Sequence, residues 1–198
     1  MIDGDTLTLT SGETIRLAGI NTPEMAYKSR PGEPLAVEAR DALQAQVSSG
    51  WVSVETAPQA KDRYGRTLAY LFTPDGASIQ AALLRAGLAS AVVISPNDRY
   101  LEGFIWAEDA ARRFDRGIWA LPYYASHPPD RVRGGYQFVH GRLSRIEIGE
   151  KWFIFSLNQK FVILVRRTDW QAYFGYSPWA LDRATIVARG WVSQKKSR

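Results

Sequence analysis

The first 24 residues, MIDGDTLTLTSGETIRLAGINTPE, collect the side chains best suited to chemistry. Asp3 and Asp5 flank a glycine just before an alternating run, Thr6 to Thr10. A Ser11-Gly12 turn leads into a second run, Thr14 to Ile20, which contains Arg16 and ends in Asn21-Thr22-Pro23-Glu24. The pattern predicts a β-hairpin with acids at its start, an arginine on its second strand, and an amide and an acid just past its end. Carboxylate and amide oxygens suit Ca²⁺ or Mg²⁺, and a guanidinium suits phosphate. Such a set can hold a hard cation and a phosphate side by side. Read alone, each piece has a plainer explanation. Asp-Gly-Asp is a common turn, Arg16 an exposed strand residue, and Thr-Pro-Glu the start of a helix.

A second segment, Asp62-Arg63-Tyr64-Gly65-Arg66-Thr67-Leu68-Ala69-Tyr70, makes the hairpin specific. Together the two resemble the thermonuclease (staphylococcal nuclease-like) family. The family pattern runs as a DGDT hairpin, then IRL and a DTPE-like corner, then a DxYGR-LAY strand. Here these are Asp3-Gly4-Asp5-Thr6, Ile15-Arg16-Leu17, Asn21-Thr22-Pro23-Glu24 and Asp62 to Tyr70. Gly87-Leu88-Ala89 and Gly117-Ile118-Trp119 are further echoes, so the resemblance covers roughly residues 1 to 120.

Phosphodiester hydrolysis needs an activated water, attack in line with the leaving oxygen, and positive charge where negative charge gathers. The resemblance implies a division of these roles. Asp5 is the principal metal carboxylate, Thr22 offers its backbone carbonyl to the metal, and Glu24 positions or deprotonates the water. Arg16 and Arg66 bind phosphate, Arg63 and Tyr64 border the nucleotide, and the metal is Ca²⁺. Asp3 and Asp62 are expected to bond turn backbone. One position departs from the family: the second metal carboxylate is Asn21. An amide oxygen still ligates Ca²⁺ but brings no charge, and ligand charge tunes affinity, so weaker metal binding is expected. Residues 91–95 also lack the tyrosine that some family members place near the nucleotide.

The resemblance thus implies a Ca²⁺-dependent, low-specificity nuclease acting on DNA, with RNA left open as a further substrate. The competing reading, which Asn21 favours, is a nucleic-acid-binding protein with a weakened or inactive nuclease site. A third is a structural or protein-interaction module on the same barrel. Oligomeric state is not legible.

The chain has 198 residues, 45% hydrophobic and 23% charged, ordinary proportions for a globular protein. It has no cysteine, which excludes disulfides and thiolate-zinc sites. His127 and His140 lie outside the motifs and are expected to be surface or packing residues. No run of eighteen apolar residues exists, so no membrane partner is expected. Met1 stands directly at the first motif, so no signal peptide is expected within this sequence. Family members are often exported, and export is an expectation from the resemblance alone. The net charge of +5 is unevenly spread: residues 1–125 carry 12 Lys/Arg against 15 Asp/Glu, and residues 126–198 carry 13 against 5. The parts therefore hold −3 and +8, and a basic segment beside a mildly acidic one points to an anionic polymer as partner.

The elements that must position these residues follow from periodicity. Strands are expected at 5–10, 13–20 and 51–56, and from Thr67 to Phe72. Residues 25–34, rich in Pro, Gly and charge, read as a loop, and the resemblance implies that a loop near this place borders the site. One helix spans about 34 to 48, with Leu35, Ala39, Ala42, Leu43 and Val47 on its apolar face. A second, marked by Ile79, Ala82, Leu83 and Ala86, closes at Gly87. Residues 88–97 read as an irregular connection. A third helix, about 98 to 116, is expected to be capped by Asn97 or Asp98, with Leu101, Phe104, Ile105, Ala111 and Phe114 buried. The fold class is α+β to mainly β, and the resemblance implies an OB-type five-stranded barrel with three packed helices. A linker at Ala125 to Gly135 divides a nuclease-like domain, 1–125, from a basic domain, 126–198. The latter reads as a second small OB-like barrel: strands at 136–146, 151–157, 160–166 and 184–192, with a helical or irregular piece at 168–182. An OB barrel needs a fifth strand, and the expectation is that either the barrel is incomplete here, with Gln194 to Arg198 at the end of the sequence, or the N-terminal half supplies the missing edge. Trp152, Trp170, Trp179, Trp191 and their aromatic neighbours are expected to fill the core by at least half. The remainder, with arginines 131, 133, 142, 145, 166 and 167, are candidates for contacting nucleic acid.

Overall fold

The computed structural model describes residues 1–48, 50–158 and 161–193. The chain forms two compact units, Met1–Tyr123 and Tyr124–Arg198.

In the first unit, β1 (Thr6–Thr8) and β2 (Thr14–Leu17) form the expected hairpin, with Thr6 opposite Arg16. A short β3 (Ile20–Asn21) follows, then α1 (Ala36–Gln46), β4 (Ser53–Lys61), β5 (Thr67–Phe72) and α2 (Ile79–Arg85). The unit continues with β6 (Ser90–Ala91) and α3 (Leu101–Arg113). The main sheet runs β1-β2-β5-β4, with β2 and β5 parallel and the other neighbours antiparallel. β2 and β5 are its inner strands, and β5 is the more apolar. Its apolar sequence TLAYLF is buried because both edges are paired and helices cover it. The core joins Ile15 and Leu17 of β2, Tyr70 and Leu71 of β5, Leu43 of α1, Ile79 and Leu83 of α2, and Phe104 of α3. Gln80, fully buried on α2, bonds this layer to the sheet. Its Oε1 accepts from the Leu71 amide (3.1 Å), and its Nε2 donates to the carbonyls of Ala69 (3.1 Å) and Ala18 (3.3 Å).

The two glycine echoes meet in space. The Ile118 amide donates to the Gly87 carbonyl at 2.8 Å, and a Cβ on either Gly87 or Gly117 would lie 2.1 Å from the other segment's backbone. No other residue tolerates that approach.

Several expectations are corrected. The connection at 88–97 contains β6, which pairs with β3. Helix α3 begins later than expected, after Tyr100, with no side-chain cap. Asn97 is engaged elsewhere, accepting from the Gln59 amide (2.8 Å) and donating to its carbonyl (3.1 Å). On α3 the buried stripe is Phe104, Ala107, Glu108 and Ala111, while Ile105 and Phe114 are exposed. On α1, Leu35 precedes the helix in a left-handed conformation (φ 67°).

In the second unit, β7 (Gly135–Arg142), β8 (Arg145–Ile148), β9 (Trp152–Ser156) and β10 (Val162–Arg166) lead to α4 (Arg167–Tyr173) and then β11 (Thr185–Val192). The strand expected at 136–146 is two. At its break the Leu143 amide donates to Ala184 (2.9 Å) and the Ser144 amide to Ser156 (2.8 Å). The chain there changes partner, from β11 to β9. One sheet is β10-β9-β8 and the other β11-β7, all antiparallel. Val139, Leu143, Ile146, Phe153, Phe155, Leu157 and Trp170 form the core. Of the aromatics expected to fill the core by at least half, Trp170, Phe153 and Phe155 are buried, while Trp152, Trp179, Trp191, Phe174 and Tyr176 are exposed.

Among the described residues the protein is mixed α+β, with no sheet closed into a barrel. Residues 194–198, where a fifth strand was sought, lie outside the described residues. No helix among the described residues is long and apolar enough to cross a membrane.

Candidate active site

The polar residues of the hairpin converge because β1 and β2 pair. That pairing places Asp5, at the entry to β1, beside Arg16 on β2. The Arg16 Nη2 lies 2.9 Å from Asp5 Oδ2, with both side chains largely buried. Asp5 Oδ2 also accepts the Thr22 amide at 3.0 Å, and its Oδ1 accepts the Thr6 hydroxyl at 3.1 Å. The β3 corner is held to the same arginine: Nη1 donates to the carbonyls of Leu17 (2.7 Å) and Ile20 (3.0 Å), and Nη2 to Asn21 Oδ1 (3.4 Å). Arg16 is therefore a fixed positive charge, its terminal nitrogens occupied by the protein. Gly4 permits the close packing, since a Cβ there would lie 2.7 Å from Ala39 of α1 and 2.9 Å from the Thr22 hydroxyl.

Arg66 approaches through the turn before β5. Asp62 organises that turn, accepting the amides of Tyr64 (2.8 Å) and Arg66 (3.0 Å) and, through Oδ2, the Arg66 Nε (2.7 Å). Arg66 Nη1 reaches the Thr6 hydroxyl at 3.5 Å. Thr6 thus stands between the Asp5–Arg16 pair and Arg66. Arg63 and Tyr64 engage one another, with the Arg63 Nη2 2.7 Å from the tyrosine hydroxyl and its guanidinium over the ring. Both are exposed. Asp3 bonds turn backbone as expected, accepting the Asp5 amide at 3.0 Å.

Glu24 is solvent-exposed just past the corner. Partial desolvation, then the charges of Asp3 and Glu33, push its carboxyl above the usual carboxylate range, against the pull of Arg16 and Arg30. Those influences put Glu24 in the same electrostatic neighbourhood as the hairpin acids. Sequence reasoning missed Glu33. Its Oε2 accepts the Glu24 amide (3.0 Å) and its own amide donates to the Glu24 carbonyl (2.8 Å), so it fixes the Glu24 backbone from the far end of the 25–34 loop. The role of Thr6 was also missed, although its place in Asp-Gly-Asp-Thr was the available signal.

Burial pushes the Asp5 carboxyl up to about 6, with Arg16 opposing and Asp3 adding to the rise. A raised folded-state pKa means that the folded chain holds a proton the unfolded chain has released, so stability falls as pH rises from about 4 to about 6. The window is worth roughly 3 kcal/mol. Thermal unfolding in a chelator should show this loss in the wild type and not in Asp5→Asn. Parallel pH profiles for the two proteins would contradict it.

Among the described residues no three Asp, Glu, His or Cys side chains converge to hold a metal. The oxygens at hand are those of Asp5, Asn21 and the Thr22 carbonyl, to which Asn21 Nδ2 now donates at 3.3 Å. This donor set is all oxygen, and its buried carboxylate carries a proton affinity that a cation would relieve. It fits a hard divalent cation held with few protein charges.

A family model described as "Staphylococcal nuclease homologue" matches residues 14–121. Among curated relatives, the thermonuclease of Staphylococcus hyicus is 33% identical over 123 residues, 61% of this chain and 72% of the relative. The endonuclease YncB of Bacillus subtilis is 33% identical over 131 residues, 64% of this chain and 62% of the relative. The SPbeta prophage-derived endonuclease YokF, from the same species, is 34% identical over 130 residues, 63% of this chain and 44% of the relative. The family match contains Arg16, Asn21, Thr22, Glu24 and the whole Asp62–Arg66 turn, while Asp3 and Asp5 lie outside it, on the first half of the hairpin. With its span, its order of motifs and the cluster they build, the chain belongs to the staphylococcal nuclease homologue family.

Proposed function

We propose that the chain is a Ca²⁺-dependent nuclease of low sequence specificity that hydrolyses phosphodiester bonds in DNA, with RNA left open as a further substrate. The observation that carries the reading is the contiguous cluster of Asp5, Arg16, Asn21 and Thr22, continued through Thr6 to Arg66. Asp5, Asn21 and the Thr22 carbonyl would hold the metal. When bound, it would supply positive charge to the phosphate and favour a deprotonated water. Glu24 takes the proton of the attacking water, a task that suits a carboxyl with a raised pKa. Arg16, anchored by four protein acceptors, provides preorganised charge. Arg66 uses Nε and Nη1 on the protein, which leaves Nη2 to donate to a phosphate oxygen. Arg63 and Tyr64 offer an exposed cation and ring to a nucleotide. The fold proposed with this function is an OB-type one for the first unit and a smaller, basic OB-like one for the second, with the sheets left open as described. The test is digestion of single- and double-stranded DNA and RNA with Ca²⁺ or with a chelator. Cleavage confined to the Ca²⁺ samples is expected, and cleavage of none of the four would refute the reading.

Asn21 favours the second reading, a nucleic-acid-binding protein with a weakened site. Asn21→Asp should tighten Ca²⁺ binding by restoring a ligand charge. It also removes the Asn21 donor from the Thr22 carbonyl, freeing that oxygen. Calorimetric titration of both forms with nucleotide present measures the change. Equal or weaker affinity in the Asp form would place residue 21 outside the metal shell.

A further inference from the structure

Strands β7 and β11 form a two-stranded ribbon whose side chains alternate between the core and the solvent. Val139, Ile186 and Val192 point into the core of the second unit. The opposite face carries Trp191 across from Tyr136, and Arg189 across from Phe138. Farther along, Val187 faces His140 and Thr185 faces Arg142. Direct partners in an antiparallel pair share a face, so these side chains form one surface. Ring contacts agree: Tyr136 meets Trp191 edge-on at 5.0 Å and Phe138 at 5.8 Å. Trp191 is 55% exposed, and Arg189 and Arg142 are exposed as well. None of the eight residues is acidic, and residues 126–198 carry +8.

An exposed tryptophan backed by two half-buried rings, Tyr136 and Phe138, presents apolar surface that normally costs solubility, and arginines beside it do not remove that cost. A polyanion with π faces accounts for both features. Its phosphates are drawn to the arginines and its bases to the rings. The strand state follows from the same chemistry. In a duplex the base faces are stacked on one another, whereas unpaired bases can stack on protein rings. We propose that the outer face of the β7–β11 ribbon is a stacking platform for single-stranded nucleic acid. Trp191 is the principal base contact and Arg189 a phosphate contact. The proposal deepens the nuclease reading, on which it rests for the choice of a nucleic-acid partner, by assigning the second unit a ligand and a strand preference.

The test is fluorescence anisotropy of labelled oligo(dT) with the intact chain, in a chelator so that cleavage is silent, over a salt series. Trp191→Ala should weaken binding about 5- to 100-fold with the salt slope unchanged, as expected for one lost stacking contact. Trp191→Phe should retain most of the affinity. Arg189→Ala should weaken binding and flatten the log–log salt slope by about 0.7, one phosphate on a single strand. Duplex DNA of the same length should bind more weakly and ignore Trp191→Ala. Unchanged oligo(dT) affinity in both folded variants, or an equal loss for duplex, would overturn the proposal. Should Trp191→Ala lower the thermal midpoint, the surface variant Arg189→Ala decides by its slope. Failure of the nuclease reading is seen separately, as no cleavage in Ca²⁺, and does not alter these binding outcomes.

Discussion

Glu24→Gln is expected to lower the rate of DNA cleavage at least about a hundredfold, the scale of a lost general base. The side chain is exposed, so the fold should not register the change. Its carboxyl is raised by desolvation and by Asp3 and Glu33, which makes it a better proton acceptor than an ordinary glutamate. Glu33→Gln supplies a gentler test of the same idea. It deletes one of the charges that raise Glu24, while the new amide oxygen can still accept the Glu24 backbone N–H. The rising limb of the kcat/KM pH profile should then move to lower pH. A Glu24→Gln enzyme with undiminished rate, or an unmoved limb in Glu33→Gln, would remove Glu24 from the role of base.

Arg16→Ala and Arg66→Ala should each cost about 10²- to 10³-fold in cleavage, as for a deleted charge stabiliser, yet they should differ in stability. Arg16 pairs with the buried Asp5 and donates to two backbone carbonyls. Its loss strands a buried carboxylate, which costs about 3 kcal/mol or more. That cost should shrink as pH falls, because Asp5, already raised to about 6 with Arg16 beside it, takes up a proton still more readily without it. Arg66 pairs with Asp62 near the surface, and losing it should cost about 1 kcal/mol or less. Denaturant unfolding beside initial rates separates the two. Equal destabilisation by both variants would mean that the buried pair is not what holds the β3 corner.

Much of the site was legible because its residues sit on local signals. The Ser11-Gly12 turn fixes the hairpin register, which alone brings Thr6 opposite Arg16. Asp62 was readable as a turn former because its carboxylate serves amides two and four residues on. What stayed hidden depends on long-range partners. Asn97 has the composition of a helix cap, but Gln59, 38 residues earlier, claims its amide. Glu33 looked like loop charge because its role is to bond a backbone nine residues away. In the second unit the run 136–146 read as one strand. Yet the inward phase passes from odd positions, Val139 and Leu143, to Ile146 where pairing shifts from β11 to β9. Trp152 and Trp191 are exposed by the sheet face each occupies, Trp179 by its place in a 3-10 turn, and Trp170 is buried because α4 packs it on the core; aromatic content alone does not encode that.

Phosphodiester hydrolysis by the Asp5–Arg16–Glu24–Arg66 cluster is proposed to need Ca²⁺. Its most direct test is the single-turnover rate of cleavage of an end-labelled DNA by excess intact protein, for wild type and Asp5→Asn across a Ca²⁺ titration. The wild-type rate should rise and saturate with Ca²⁺ and vanish in a chelator. Asp5→Asn should require far more Ca²⁺ or remain inactive throughout. A wild-type rate indifferent to the chelator, or an Asp5→Asn protein with the wild-type Ca²⁺ dependence, would contradict the account.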